Sequence, residues 1–222
     1  MRLTKRKNVD IQFWLFFLSS ALALNIAPGP DLVYILTKTL SGGKRAGIVS
    51  ILGLSVGAFI HVVLSAIGVS LILKSSELAF TIVKLVGAGY LLFLAYQSVA
   101  SKKTSGKMPS SVDDPQPNKE PLMAVFNQGV LVDLFNPKVA LFFIAYLPAF
   151  VRDNAGSVSF QLMYLGTLVI AVAIVVETIY VILGSKVADK IKHNGNFNLY
   201  IDRAVAVIFS LLALKLIVSV NY

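Results

Sequence analysis

The sequence predicts an all-α, polytopic membrane protein whose six transmembrane helices form two inverted three-helix halves. Three observations lead there. Hydrophobic residues fill 56% of the 222 positions and charged ones only 14%, with a mean hydropathy of +0.77. A soluble domain carries roughly a quarter charged residues, so this chain has too little polar surface to face water all round. The apolar residues also come in long blocks, and one polar stretch divides those blocks into two sets.

The first block, about residues 12–38, follows the basic run Arg2, Lys5, Arg6 and Lys7. Basic residues ahead of an apolar stretch resemble a signal peptide. Here the apolar stretch continues past Leu36 with no small-residue cleavage site at the usual distance, which predicts a retained helix. The second, about 46–73, carries a single ionisable side chain, His61, between Ala46 and Leu73. As a helix that block rises about 42 Å, more than the roughly 30 Å of a hydrocarbon core. A third block covers 77–100. Residues 101–122 are polar and rich in Ser, Lys and Pro, which reads as a solvated cytoplasmic linker. Further blocks follow at about 123–151, 158–184 and 201–220. The linker therefore separates a first half, 1–100, from a second, 123–222.

Three spans per half is an odd number, so the second half re-enters the membrane in the opposite sense. An internal echo agrees: Gly29-Pro30-Asp31 and Asn136-Pro137-Lys138 occupy equivalent places in the first and fourth spans. Lys and Arg distribution sets the orientation. The loops after spans one, three and five hold Lys38, Lys44, Arg45, Lys102, Lys103, Lys107, Lys119, Lys186, Lys190 and Lys192. These odd-numbered loops are placed in the cytoplasm and both termini outside, although the basic N-terminus pulls the other way. The formal net charge of +9 thus answers to membrane topology, and nucleic acid is not a partner. No cysteine is present, which removes disulfides, thiolate nucleophiles and zinc–cysteine sites. Nothing points to a metal or another cofactor.

The chemistry concentrates at two helix breaks. In Asn25-Ile26-Ala27-Pro28-Gly29-Pro30-Asp31 two prolines remove backbone donors and the intervening glycine loosens the chain. Freed carbonyls are costly in a bilayer unless protein or trapped water satisfies them, so the break faces the interior or a wet cavity. Asn136-Pro137 repeats the device in span four. Paired proline interruptions in two halves point to a transport site more strongly than a single kink does. The substrate-binding candidates are therefore Asn25, Pro28, Gly29, Pro30, Asp31, Asn136, Pro137 and Lys138. Asp31 and Lys138 carry opposite signs at equivalent positions and could bracket the ammonium and carboxylate of an amino acid. A plain ion pair is the competing interpretation.

Charges at the bilayer centre cost at least ~2.5–3.5 kcal/mol each, so intramembrane acids and bases pair, line cavities or carry protons. Asp31, His61, Asp133 and Glu177 are the proton-coupling candidates. A histidine inside a span is more often packed and hydrogen-bonded than part of a relay, and Glu177 sits close enough to its helix end to reach headgroup depth. Gly53-Leu54-Ser55-Val56-Gly57 matches the serine-hydrolase elbow, but that motif needs a strand–turn–helix context. Inside an apolar helix the small residues favour close helix packing instead. No catalytic group is assigned.

APGPD at 27–31, SGGKRAG at 41–47, GLSVGAFIH at 53–61, KLVGAGYL at 84–91 and FNQGVLVDLFNPKVALFF at 126–143 together resemble the LysE/RhtB family of amino-acid exporters. The resemblance implies a bacterial inner-membrane carrier exporting an amino acid of the homoserine, threonine, leucine or lysine type by proton antiport, with no enzyme activity. It places Pro28 to Asp31 and Asn136 to Lys138 at the site. The family's Leu-Pro-Gln-Phe is Leu147-Pro148-Ala149-Phe150 here. A small-solute or ion channel and, further off, an intramembrane enzyme are the alternatives, and homo-oligomer formation is left open.

Overall fold

The computed structural model describes residues 2–75, 77–100, 120–152 and 155–193, with scattered positions between 203 and 218. All regular structure among them is helical. Helix α1 spans Arg2–Ile26, α2 Pro30–Ser75, α3 Glu77–Ala100, α4 Leu122–Leu134, α5 Pro137–Leu141 and α6 Val158–His193. The described positions between 203 and 218 are helical too.

The breaks fall where proline requires them. α1 ends at Ile26 and α2 begins on Pro30, whose missing N–H is harmless in a first turn. α4 ends at Leu134 and α5 begins on Pro137, capped by the Asn136 side chain, which accepts from the Lys138 N–H at 3.1 Å. α5 then widens into a π-helical turn over Phe142–Tyr146 and tightens into a 3₁₀ turn over Leu147–Phe150. Pro148 has no N–H to offer one turn back, and the Leu147 N–H reaches five residues to the Phe142 carbonyl. α2 is itself two helices joined at Gly43, whose φ of 75° suits a residue without a Cβ. Its two parts correspond to the end of the first expected span and to the second.

Pro30–Val69 and Val158–Gly184 are long and apolar enough to cross a membrane. The pair Leu122–Leu134 and Pro137–Phe150, bent by 51° at its break, adds a third if counted as one span. The expected linker falls, over 101–119, outside the described residues, as does much of the sixth span.

Two apolar clusters organise the interior. The larger joins Phe17, Phe143, Tyr146, Leu162, Val62 and Phe209; the smaller holds Ile35, Ile51, Leu54 and Val181. Outside, Leu52, Ile67, Leu78, Phe93 and Val175 are exposed, an apolar exterior suited to acyl chains rather than water.

The closest approach is between α2 and α4. A Cβ added at Gly53 would strike the Phe126 carbonyl oxygen, one at Gly57 would lie 2.8 Å from the Val130 carbonyl oxygen, and one at Gly129 would lie 3.0 Å from that of Ser50. The glycines flanking Ser55 thus serve helix packing, as the small-residue spacing predicts.

Candidate transport site

The first break frees the Ala27 carbonyl, and the second supplies its partner. Lys138 Nζ donates to Ala27 O at 3.1 Å and to Asp31 Oδ1 and Oδ2 at 3.1 and 2.9 Å. An ammonium has three N–H groups, and three acceptors surround this one. Both residues are buried. The two ends of this pair are 107 positions apart, at the equivalent places of the two broken spans. Gly29 makes room for it: a Cβ there would lie 2.8 Å from Nζ and closer still to Asp31 Oδ1.

The second break is satisfied in the same manner. Leu134, the last residue of α4, presents its carbonyl to His61, whose Nε2 donates at 3.2 Å. In the π turn the Phe143 carbonyl accepts from Ser65 Oγ at 2.7 Å. Each irregularity is answered by a polar side chain from another helix, as a low-dielectric interior requires.

Contacts along the two broken segments run in opposite directions. Lys38 meets Glu120 at 2.5 Å, and Tyr34 donates to the Val125 carbonyl at 2.5 Å. Past the Asp31–Lys138 pair, Ser20 Oγ lies 3.0 Å from the Tyr146 hydroxyl, and the Phe17 and Phe150 rings are 5.3 Å apart. As the number falls from 38 to 17 on one segment, it rises from 120 to 150 on the other. The segments are antiparallel, crossing at their breaks.

Beside the crossing is a cavity of about 20 Å³, whose polar lining is Asn25, Asp31, Ser55, Asp133 and Glu177, with Phe143 and Ile170 in its apolar wall. That volume admits roughly one water molecule, so the chain is closed tightly around its polar centre. Asp133 and Glu177 are 4% and 6% exposed, and Asp133 Oδ2, Glu177 Oε2 and Ser55 Oγ have no hydrogen-bond partner among the described residues. Asn25 is turned partly to its own helix, donating to the Ala21 carbonyl at 2.7 Å.

Of the residues singled out from sequence, Asn25, Asp31, Asp133 and Glu177 converge on the cavity. Pro28, Pro30 and Pro137 are exposed on the far sides of their breaks and act by interrupting backbone. Asn136 caps α5, Lys138 is engaged with Asp31, and His61 is bonded to Leu134 outside the lining. Asp31 and Lys138 therefore face each other here instead of bracketing a ligand. Ser55 is the lining residue that the spacing of its flanking glycines assigned to packing alone; it is one of four serines in its span, with Ser50, Ser65 and Ser70, and nothing in the sequence set it apart.

On one side of the crossing Lys38, Glu120, Gln128 and Tyr34 form a polar latch between the two segments. Gln128 Nε2 donates to Glu120 Oε1 at 2.6 Å, and the Lys38 ammonium lies 5.5 Å from the Tyr34 ring centre. Hydrogen bonding from Lys38 holds the Glu120 carboxyl below the usual glutamate range. On the other side Phe13, Phe17 and Tyr146 meet Phe150 edge to face and Phe16 meets it at a tilt, with Arg152 3.7 Å over the Phe13 ring. The two segments are thus joined by polar bonds on one side of their crossing and by aromatic packing on the other.

A family model described as LysE type translocator matches residues 22–220. A homoserine/homoserine lactone efflux protein of Salmonella typhimurium is 30% identical over 195 residues, covering 83% of this chain and 86% of its own. An uncharacterized membrane protein of Vibrio cholerae is 34% identical over 149 residues, or 66% of this chain and 70% of its own. One of Bacillus subtilis is 30% identical over 168 residues, 72% and 77% respectively. No solved structure matches.

Proposed function

The chain belongs to the family of LysE type translocators, a family of membrane transporters and not of enzymes, and from that premise we propose that it exports a homoserine-type amino acid across the bacterial inner membrane in exchange for protons. One observation carries the proposal: two proline-broken helices cross antiparallel at a buried polar cavity. Half-helix ends and freed carbonyls at a membrane's mid-depth are where secondary transporters hold substrate. The efflux proteins among its relatives supply the substrate type.

Antiparallel broken segments are what two inverted three-helix halves would present to each other, and they favour six spans with the Lys38–Glu120 end facing the cytoplasm. The cavity, sized for one water, corresponds to the occluded step of alternating access. An open pore, which a channel needs, is not favoured by such a closure. Opening the latch between Lys38 and Glu120 admits substrate from the cytoplasm, and separating the aromatic rings releases it outside. Asp133 and Glu177, each with one buried oxygen that has no hydrogen-bond partner among the described residues, are the carboxyls available to take up protons from outside and give them up inside.

The test is reconstitution of the full chain into proteoliposomes loaded with radiolabelled homoserine. External homoserine should drive counterflow, and acidifying the outside should accelerate net efflux. Glu177→Gln at saturating substrate should respond little to the gradient. Absence of counterflow would overturn the proposal, and an undiminished gradient response would remove Glu177 from coupling.

A further inference from the structure

The charge inventory around the cavity says more than where a substrate binds. Among the described residues three carboxyls line it, those of Asp31, Asp133 and Glu177, and one ammonium stands nearby, that of Lys138. Its three N–H groups are committed to Asp31 and to the Ala27 carbonyl. A ligand carboxylate could reach Lys138 only by displacing Asp31, which would leave one more buried carboxylate without its cation. The remaining acceptors, Asp133 Oδ2 and Glu177 Oε2, are buried and have no hydrogen-bond partner among the described residues. Both belong to residues lining the cavity. Acceptors without donors are complementary to a donor-rich cation.

We infer that the cavity recognises the ammonium group of its ligand through Asp133 and Glu177 and makes no use of the ligand's carboxylate. This rests on the cavity being the transport site, and it narrows the substrate class. The class is small primary amines with a short polar side chain, whether the carboxyl is free, amidated or closed into a lactone. Ser55 Oγ, on the cavity wall and also without a hydrogen-bond partner among the described residues, supplies a hydroxyl contact for that side chain. Acylating the amine removes the recognised group; masking the carboxyl does not.

The experiment is calorimetric titration of the purified full chain in detergent with homoserine, homoserine lactone and N-acetylhomoserine. Homoserine and its lactone should bind within about threefold of each other, and N-acetylhomoserine at least about tenfold more weakly, as loss of a charged hydrogen bond implies. The double variant Asp133→Asn with Glu177→Gln, which spares the Lys138–Asp31 pair, should lose at least about tenfold for the lactone. Single variants, with half that change, serve if the double variant fails to fold. N-acetylhomoserine binding as tightly as homoserine, or no binding of the lactone, would overturn the inference. Binding in the expected order without counterflow in proteoliposomes would leave the inference standing and remove the transport proposal instead.

Discussion

Two ion pairs between described residues, Lys38–Glu120 and Lys138–Asp31, tie the first broken segment to the second, and they differ in the one respect that matters. Lys38–Glu120 is the shorter, at 2.5 Å, with side chains 16% and 37% exposed. Lys138–Asp31 is longer, at 2.9 Å, with side chains 6% and 8% exposed. Distance would rank the first pair stronger; burial reverses the order. An exposed pair is screened by water and is worth about 0–1 kcal/mol. A buried pair is a poor source of net stability, yet removing one partner strands the other and costs about 3–5 kcal/mol. The exposed pair is therefore suited to opening and closing, while the buried pair locks the crossing of the two breaks.

The largest effect should come from breaking the buried pair. Lys138→Met leaves Asp31 without a cation and Ala27 O without a donor, and should destabilise the chain by about 3–5 kcal/mol in thermal unfolding and abolish homoserine counterflow. Asp31→Asn should do nearly as much. The double variant Asp31→Asn with Lys138→Met should recover stability relative to either single change, without transport. A double variant no more stable than the singles would show that the two side chains are not coupled.

An intermediate effect is expected from crowding the same pair. Gly29→Ala places a methyl 2.8 Å from Lys138 Nζ and should cost about 1–3 kcal/mol, the usual range for overpacking. Gly129→Ala, against the Ser50 carbonyl on the α2–α4 seam, is the control for crowding away from the charges; it should destabilise without altering homoserine affinity.

The smallest belongs to the exposed pair. Lys38→Gln should change unfolding stability by no more than about 1 kcal/mol, and about 1 M salt should mask the difference. Because Lys38 lowers the Glu120 pKa, the contribution is complete above the ordinary glutamate value of about 4.3 and is lost as pH falls through the lowered value. The wild type and Lys38→Gln should converge in stability there. A Lys38→Gln loss as large as that of Lys138→Met would erase the distinction between the pairs.

Much of this was legible in the sequence. Prolines dictate where α1 gives way to α2 and α4 to α5, because a missing N–H and a ring clash leave a helix no alternative. The equivalence of Asp31 and Lys138 was visible as a shared offset, and the expected third span, 77–100, matches α3. What sequence spacing does not carry is distance across the two halves. Whether Lys138 waits for a ligand or is consumed by Asp31 depends on a 2.9 Å approach between segments more than a hundred residues apart. His61 is similar: its partner, the Leu134 carbonyl, exists only because the second break freed it. Ser55 shows a third limit, since the flanking glycines explain the motif by packing and hide the hydroxyl between them.

The proposed route for substrate runs through the site enclosed where the two breaks cross. Its most direct test is alkylation of Ser55→Cys in a chain with no native cysteine, followed in proteoliposomes with and without homoserine. Saturating homoserine should slow modification of this cavity-lining position several-fold, and modification should stop counterflow. Unslowed alkylation alongside intact counterflow would mean that substrate travels elsewhere.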